Sequence, residues 1–254
     1  AWDGLTTTDM LVALMDPDLQ EAIRGADVIT ISVGGNNLLR PVIGAAFQMY
    51  GLTYGTHGVE DLMMAIYAGG ENAWNQAVVW LTGSALNGEL AGALDGGKAA
   101  FLADWPVIAA SVKALNPDAR IVVLNLYNPV DPQENALLYG ALQERIDGMN
   151  GALAAGTGYQ VADVQGAFAG EPDAVGFSLH WQSLSLDPHP TNLGHERMFK
   201  LIRGLTGPGV LRGEGLAAGG LPAVHGVSGR AFGERVSETA RKDPGALGGH
   251  AARR

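Results

Sequence analysis

The sequence predicts an α/β fold in which a parallel β-sheet carries helices on both faces. Three observations lead there. The runs "ADVITISVGG" and "ARIVVLNLYNP" hold consecutive apolar, largely β-branched residues, the pattern of strands buried on both sides. Helical stretches separate the runs, as βαβ units require. Glycine pairs or Asn-Pro close the first two runs, so each strand turns sharply where it ends. In sheets of this kind the chemistry gathers at the carboxyl ends of the strands.

Along the chain, "TTTDMLVALMDPDLQEAIRG" reads as a helix, a proline break and a second helical stretch, with a threonine or Asp9 as cap. The first strand follows and ends in "GGNN". Residues 38–115 are apolar, glycine-spaced and helical in pattern, ending in "FLADWPVIAASVKALNP". The second strand ends in "YNP". "ENALLYGALQERIDGMNGALAAG" is a helix with a glycine stop, and "YQVADVQGAF" reads as a third strand. A Pro-His-Pro loop and a helix over about 194–204 complete the pattern. Composition then shifts. Residues 203–254 hold eight Lys/Arg against four Asp/Glu and many glycines, so 1–203 is expected as the folded domain and 204–254 as a flexible tail rich in Gly and Arg.

The chain has 254 residues, 47% of them hydrophobic and 17% charged, enough for a sizeable core. Its formal net charge of −10 argues against nucleic acid as a partner, since phosphate binding needs a basic surface. With no cysteine there is no disulfide, no thiolate nucleophile and no Cys-ligated metal, and the redox compartment stays open. No apolar stretch approaches the roughly 20 residues of a spanning helix, and no basic region followed by an apolar run opens the chain, so localisation is not readable.

Two stretches carry candidate chemistry. In "SVGGNNLL" the glycines permit a tight turn, and an Asn amide there either donates to a developing oxyanion or simply caps a helix. The pattern lacks both G-x-G-x-x-G and a P-loop lysine, so a phosphate cradle is not expected. In "LSLDPHPTNLGHERM" two prolines stiffen the backbone around His189, and Asp187 stands two positions before it. A general base needs one ring nitrogen toward substrate and the other held by a carboxylate; the competing reading is a solvated loop histidine. Asp187, His189 and His195 also invite a metal reading, which lacks a clear further ligand. His195 is read instead as a capping or packing residue, and neither metal nor cofactor is expected.

"GGNN" followed much later by "DPHPTNLGH" resembles the SGNH, or GDSL-type, serine hydrolases, and "ADVITISVGGNNLL" with "NPDARIVVLNLYNP" is similar to their bacterial lipase and esterase branch. The resemblance covers residues 1 to about 203. It implies a flavodoxin-like three-layer α/β fold and cleavage of a small-molecule or lipid ester by a Ser-His-Asp mechanism. Transferred by position, Gly4 and Asn36 are oxyanion donors, His189 is the base and Asp187 its orienting acid, with Asp163 a second candidate for that acid. The family's Gly-Asp-Ser block precedes the glycine matched by Gly4, so the nucleophile and the first two strands are expected to lie before residue 1. The strand at 27–33 then becomes an exposed edge open to self-association. Neither "GSAL" at 83–86 nor Ser228 in "PAVHGVSGRAFGE" fits the missing block well. Asn37 stands where the family has aspartate, a departure expected to disturb the turn's hydrogen bonds. A binding module on the same fold, without catalysis, is the alternative.

Overall fold

A computed structural model describes residues 4–207. Leu5–Glu214 group as one unit and Ala1–Gly4 with Gly215–Arg254 as another; of the second only Gly4 is among the described residues. The expected tail from 208 onward, Ser228 included, lies outside them.

The first helices start where the sequence supplies caps. Thr6 and Asp9 form a reciprocal capping box ahead of α1 (Thr7–Ala13), and Asp16 with Pro17 at the first helical position opens α2 (Pro17–Arg24). After β1 (Val28–Ile31) the chain enters α3 (Gly35–Met49) through Gly34, whose φ is 113°. A Cβ at Gly34 would also lie 2.5 Å from the Phe101 ring, so both conformation and space require glycine. The middle of the chain is helical as expected: α4 (Val59–Asn87), broken at Gly70, and α5 (Glu89–Leu115). Then come β2 (Arg120–Leu124), α6 (Ala136–Ala155), β3 (Gln160–Ala162), α7 (Val164–Phe168) and α8 (Asn192–Thr206). The last helix runs on to Thr206, which is buried.

The three strands form a parallel sheet in the order β1-β2-β3, with Ile29 opposite Ile121 and Val123 opposite Val161. Among the described residues β1 pairs only with β2, which leaves β1 at the edge. Side chains of β2 alternate between two cores. Ile121 and Val123 pack into the large cluster with α3, α4, α5 and α6, while Val122 and Leu124 join Phe168 and the apolar side of α8. The apolar-on-both-faces reading of this strand is thus met by helices on each side.

The third strand is shorter than the sequence pattern suggests. Asp163 accepts a hydrogen bond from the Gly166 amide at 3.0 Å and so caps α7, turning "VQGAF" into helix where a strand is expected. At the other end of the sheet, Asn116 clamps the chain entering β1. Its amide reaches the carbonyls of Ile23, Arg24 and Ala26, and its oxygen accepts from the Ala119 amide.

Candidate active site

The "GGNN" stretch forms the first turn of α3, directly beyond β1. Asn37 is buried and turned inward. Its Oδ1 accepts from the Thr7 amide at 3.0 Å, and its Nδ2 donates to Thr7 Oγ1 at 2.8 Å and to the Gly97 carbonyl at 3.2 Å. The expected disturbance is therefore absent: asparagine supplies two donated bonds that an ionised aspartate has no proton for. Close approach makes the contact with α5 possible. Pro41 cannot donate to the carbonyl of Asn37, and a Cβ at Gly97 would sit 2.0 Å from that oxygen.

Asn36 faces the other way. Its Nδ2 donates to the Leu5 carbonyl at 3.2 Å, which fixes the amide and leaves its second N–H for another acceptor.

The Pro-His-Pro loop lies beside this turn. His189 Nδ1 is 2.6 Å from Asp187 Oδ1, and the His189 backbone N–H donates to the same oxygen at 3.0 Å. That backbone bond holds the Asp187 carboxyl below its usual range, helped by the imidazole's hydrogen bond and opposed by slight burial. The pair is largely solvated, with side chains 73% and 64% exposed, so it adds little stability; what it fixes is the ring's orientation, with Nε2 left free.

Tyr127, just beyond β2, anchors the loop from below by donating its hydroxyl to the Pro188 carbonyl at 2.8 Å. Its ring rests on Phe168, 4.9 Å between centroids. Burial, and then the charge of Asp187, push the phenol well above its ordinary pKa, so the hydroxyl keeps the proton it donates. The sequence places "YNP" at the carboxyl end of the second strand, on the expected functional edge, but nothing in its pattern identified Tyr127 as the loop's support.

Asn36 and His189 line one cavity of about 190 Å³. Its rim holds the solvated His189 together with Ser32 and Asn36, at the carboxyl end of β1. Its depth is formed by buried apolar side chains such as Leu38, Leu81, Leu138 and Leu142. Ser32 is the one serine among the lining residues. Ser84 lies within α4, where its Oγ accepts from the Leu90 amide.

The other expected residues fall elsewhere. The Asp163 carboxylate is engaged by Gly166 and by Asn125 Nδ2 at 2.8 Å. His195 is exposed in the first part of α8. Gly4 has a positive φ of 78° and is exposed; it belongs to the other unit. Among the described residues no group of three His, Asp or Glu side chains is placed to hold a metal ion. Nor is any helix there long and apolar enough to cross a membrane.

No family model and no curated protein matches the chain. Among solved structures it is similar to the lipase Lip_vut3 from a goat rumen metagenome, with 21% identity and a TM-score of 0.47 over 80% of this chain and 75% of that one. It is also similar to phospholipase A1 from Streptomyces albidoflavus NA297, with 19% identity and a TM-score of 0.44 over 80% and 77%. Likenesses of this degree carry no argument about the site, which stands on the chain's own residues.

Proposed function

We infer that this cavity is the active site of a carboxylic ester hydrolase of the SGNH type. One observation carries the reading: an imidazole held through Nδ1 by a carboxylate, and an asparagine amide with an N–H to spare, line the same cavity beyond the carboxyl end of a parallel strand. In the proposed reaction a serine hydroxyl attacks the ester carbonyl carbon while His189 Nε2 takes its proton. The carbonyl oxygen, now an oxyanion, accepts a hydrogen bond from the Asn36 amide. Collapse expels the alcohol, which leaves with the proton from His189. Water activated by the same histidine then releases the acid and restores the serine. Asp187 orients the ring and stabilises the imidazolium.

Ser32 is the candidate nucleophile that the cavity itself offers. Because Ser32 is the one lining serine, a binding module using the same cavity without turnover is the second reading. The test is hydrolysis of p-nitrophenyl octanoate by the full-length protein, with labelling by a serine-directed fluorophosphonate. Turnover and labelling, both lowered about 10²- to 10⁴-fold by His189→Ala, support the hydrolase. Turnover indifferent to His189→Ala refutes it, and silence in both assays leaves the binding module.

A further inference from the structure

The cavity beneath His189 and Asn36 does not end in open solvent on its apolar side. A second cavity of about 50 Å³ lies between α3 and α4, and the two share four wall residues, Leu39, Val42, Leu81 and Phe177. These four form a partition. Beyond it the walls are again apolar, from Ile43, Leu62 and Trp74, apart from the Tyr50 hydroxyl, which is buried without a hydrogen-bond partner.

We propose that the first cavity is an acyl-chain site for straight chains of about eight carbons, with the four-residue partition as its end stop. The proposal rests on the ester-hydrolase reading for the head of the ligand and on the cavity walls for its tail. Leu138, Leu142 and Ile146 of α6 offer nothing to a polar group, so the ligand portion reaching them is hydrocarbon. The rim supplies the polar partners: the Asn36 N–H and His189 face the carboxyl end of the chain. Size follows by comparison. A leucine- and phenylalanine-lined cavity of about 150 Å³ takes up benzene, six carbons, so 190 Å³ scales to roughly eight. Adding the second cavity extends the path to about ten carbons.

Val42 is the residue to change, because it lines both cavities, is only partly buried and has no part in the proposed catalysis. The experiment measures binding of n-alkanols from four to fourteen carbons to the full-length protein by calorimetry, below their solubility limits. These ligands need neither nucleophile nor base. In the unaltered protein affinity rises about fourfold per methylene and levels off near eight carbons. Val42→Ala moves the plateau to ten or more, and Val42→Phe moves it to six or fewer, with far-UV circular dichroism showing both variants folded. Affinity independent of length, affinity still climbing at twelve carbons in the unaltered protein, or a plateau unmoved by both Val42 variants overturns the proposal. If the length profile holds while octanoate esters are not turned over, the acyl site stands and the hydrolase reading falls; turnover with no length profile gives the reverse.

Discussion

Asn37→Asp restores the residue that the family resemblance expects, yet the structure makes it a damaging change. Asn37 is 5% exposed, and its amide group faces two oxygens, Thr7 Oγ1 at 2.8 Å and the Gly97 carbonyl at 3.2 Å. The amide orientation is fixed by its surroundings, because the Thr7 N–H needs an acceptor and Thr7 Oγ1, whose proton goes to Asp104, faces the amide as an acceptor. An ionised aspartate places an acceptor against both oxygens. Thr7 cannot readily turn its hydroxyl proton toward the new carboxylate, since that proton already goes to Asp104 Oδ2 at 2.9 Å. One buried acceptor stripped of its donor costs about 1–3 kcal/mol, and more when a charge is involved. The expected loss at pH 7 is therefore about 3 kcal/mol or more, a fall in Tm of about 6–12 °C at 2–4 °C per kcal/mol for a domain of this size. The sign with pH follows. Burial raises the folded pKa of the introduced carboxyl above its unfolded value of about 3.9, so the penalty is full above the folded pKa and shrinks as pH falls through it. A protonated carboxyl can donate to one of the two oxygens again. Thermal melts of both proteins at pH 7 and pH 4, followed by circular dichroism, measure the gap. A variant melting within about 2 °C of the parent at pH 7, or a gap that fails to narrow at pH 4, would refute the reasoning.

Asp187→Asn keeps the shape of the loop but offers His189 Nδ1 an amide in place of a carboxylate; ester turnover is expected to fall about 10²- to 10⁴-fold with Tm almost unchanged, because the pair is solvent-exposed. Since the Asp187 carboxyl is held below its usual range, the hydrogen bond it accepts from the His189 backbone N–H is lost only as pH falls through the lowered folded value, so the Asp187 carboxyl carbon NMR signal should titrate below the ordinary carboxylate value of about 3.9. Tyr127→Phe removes the bond to the Pro188 carbonyl; a stability loss of about 0.5–1.5 kcal/mol is expected, and a larger proportional loss in kcat than in KM marks a loop that has lost its orientation. Gly34→Ala combines a left-handed φ with a Cβ 2.5 Å from Phe101, and urea unfolding should show at least about 2 kcal/mol lost; a neutral result would mean that Phe101 moves freely.

These effects also show which parts of the molecule sequence could reveal. Asp187 and His189 were readable because their pairing is local: two residues apart, on a loop stiffened by Pro188 and Pro190, they meet with little help from the rest of the chain. The strands at 28–31 and 120–124 were readable for a similar reason, each being a local run of mostly β-branched apolar residues around a single polar one, Thr30 or Arg120. The third strand misled because "QVADVQGAF" keeps an apolar rhythm through Asp163, and only the Asp163 side chain on the Gly166 amide decides that the second half is helix. Tyr127, Asn37 and the two apolar cavities were beyond reach. Their partners stand 61, 30 and 60 residues away in Pro188, Thr7 and Gly97, or on three different helices, and no local period records such distances.

The same contrast explains how the site is held. The edge assigned the chemistry in the proposed function is local and solvated, an Asp-His pair that contributes little to stability, so it needs rigid support from long-range contacts. Two buried anchors provide it. Asn37 ties the first turn of α3 to α1 and α5, and thereby sets where Asn36 points; Tyr127 ties the histidine loop to the end of β2. The cavity opens between those anchors, and its floor belongs to α3, α4 and α6 rather than to either motif. Changes in the helical middle are therefore expected to alter which chain is accepted while leaving the geometry of His189 intact, and changes at Asn37 or Tyr127 to do the opposite.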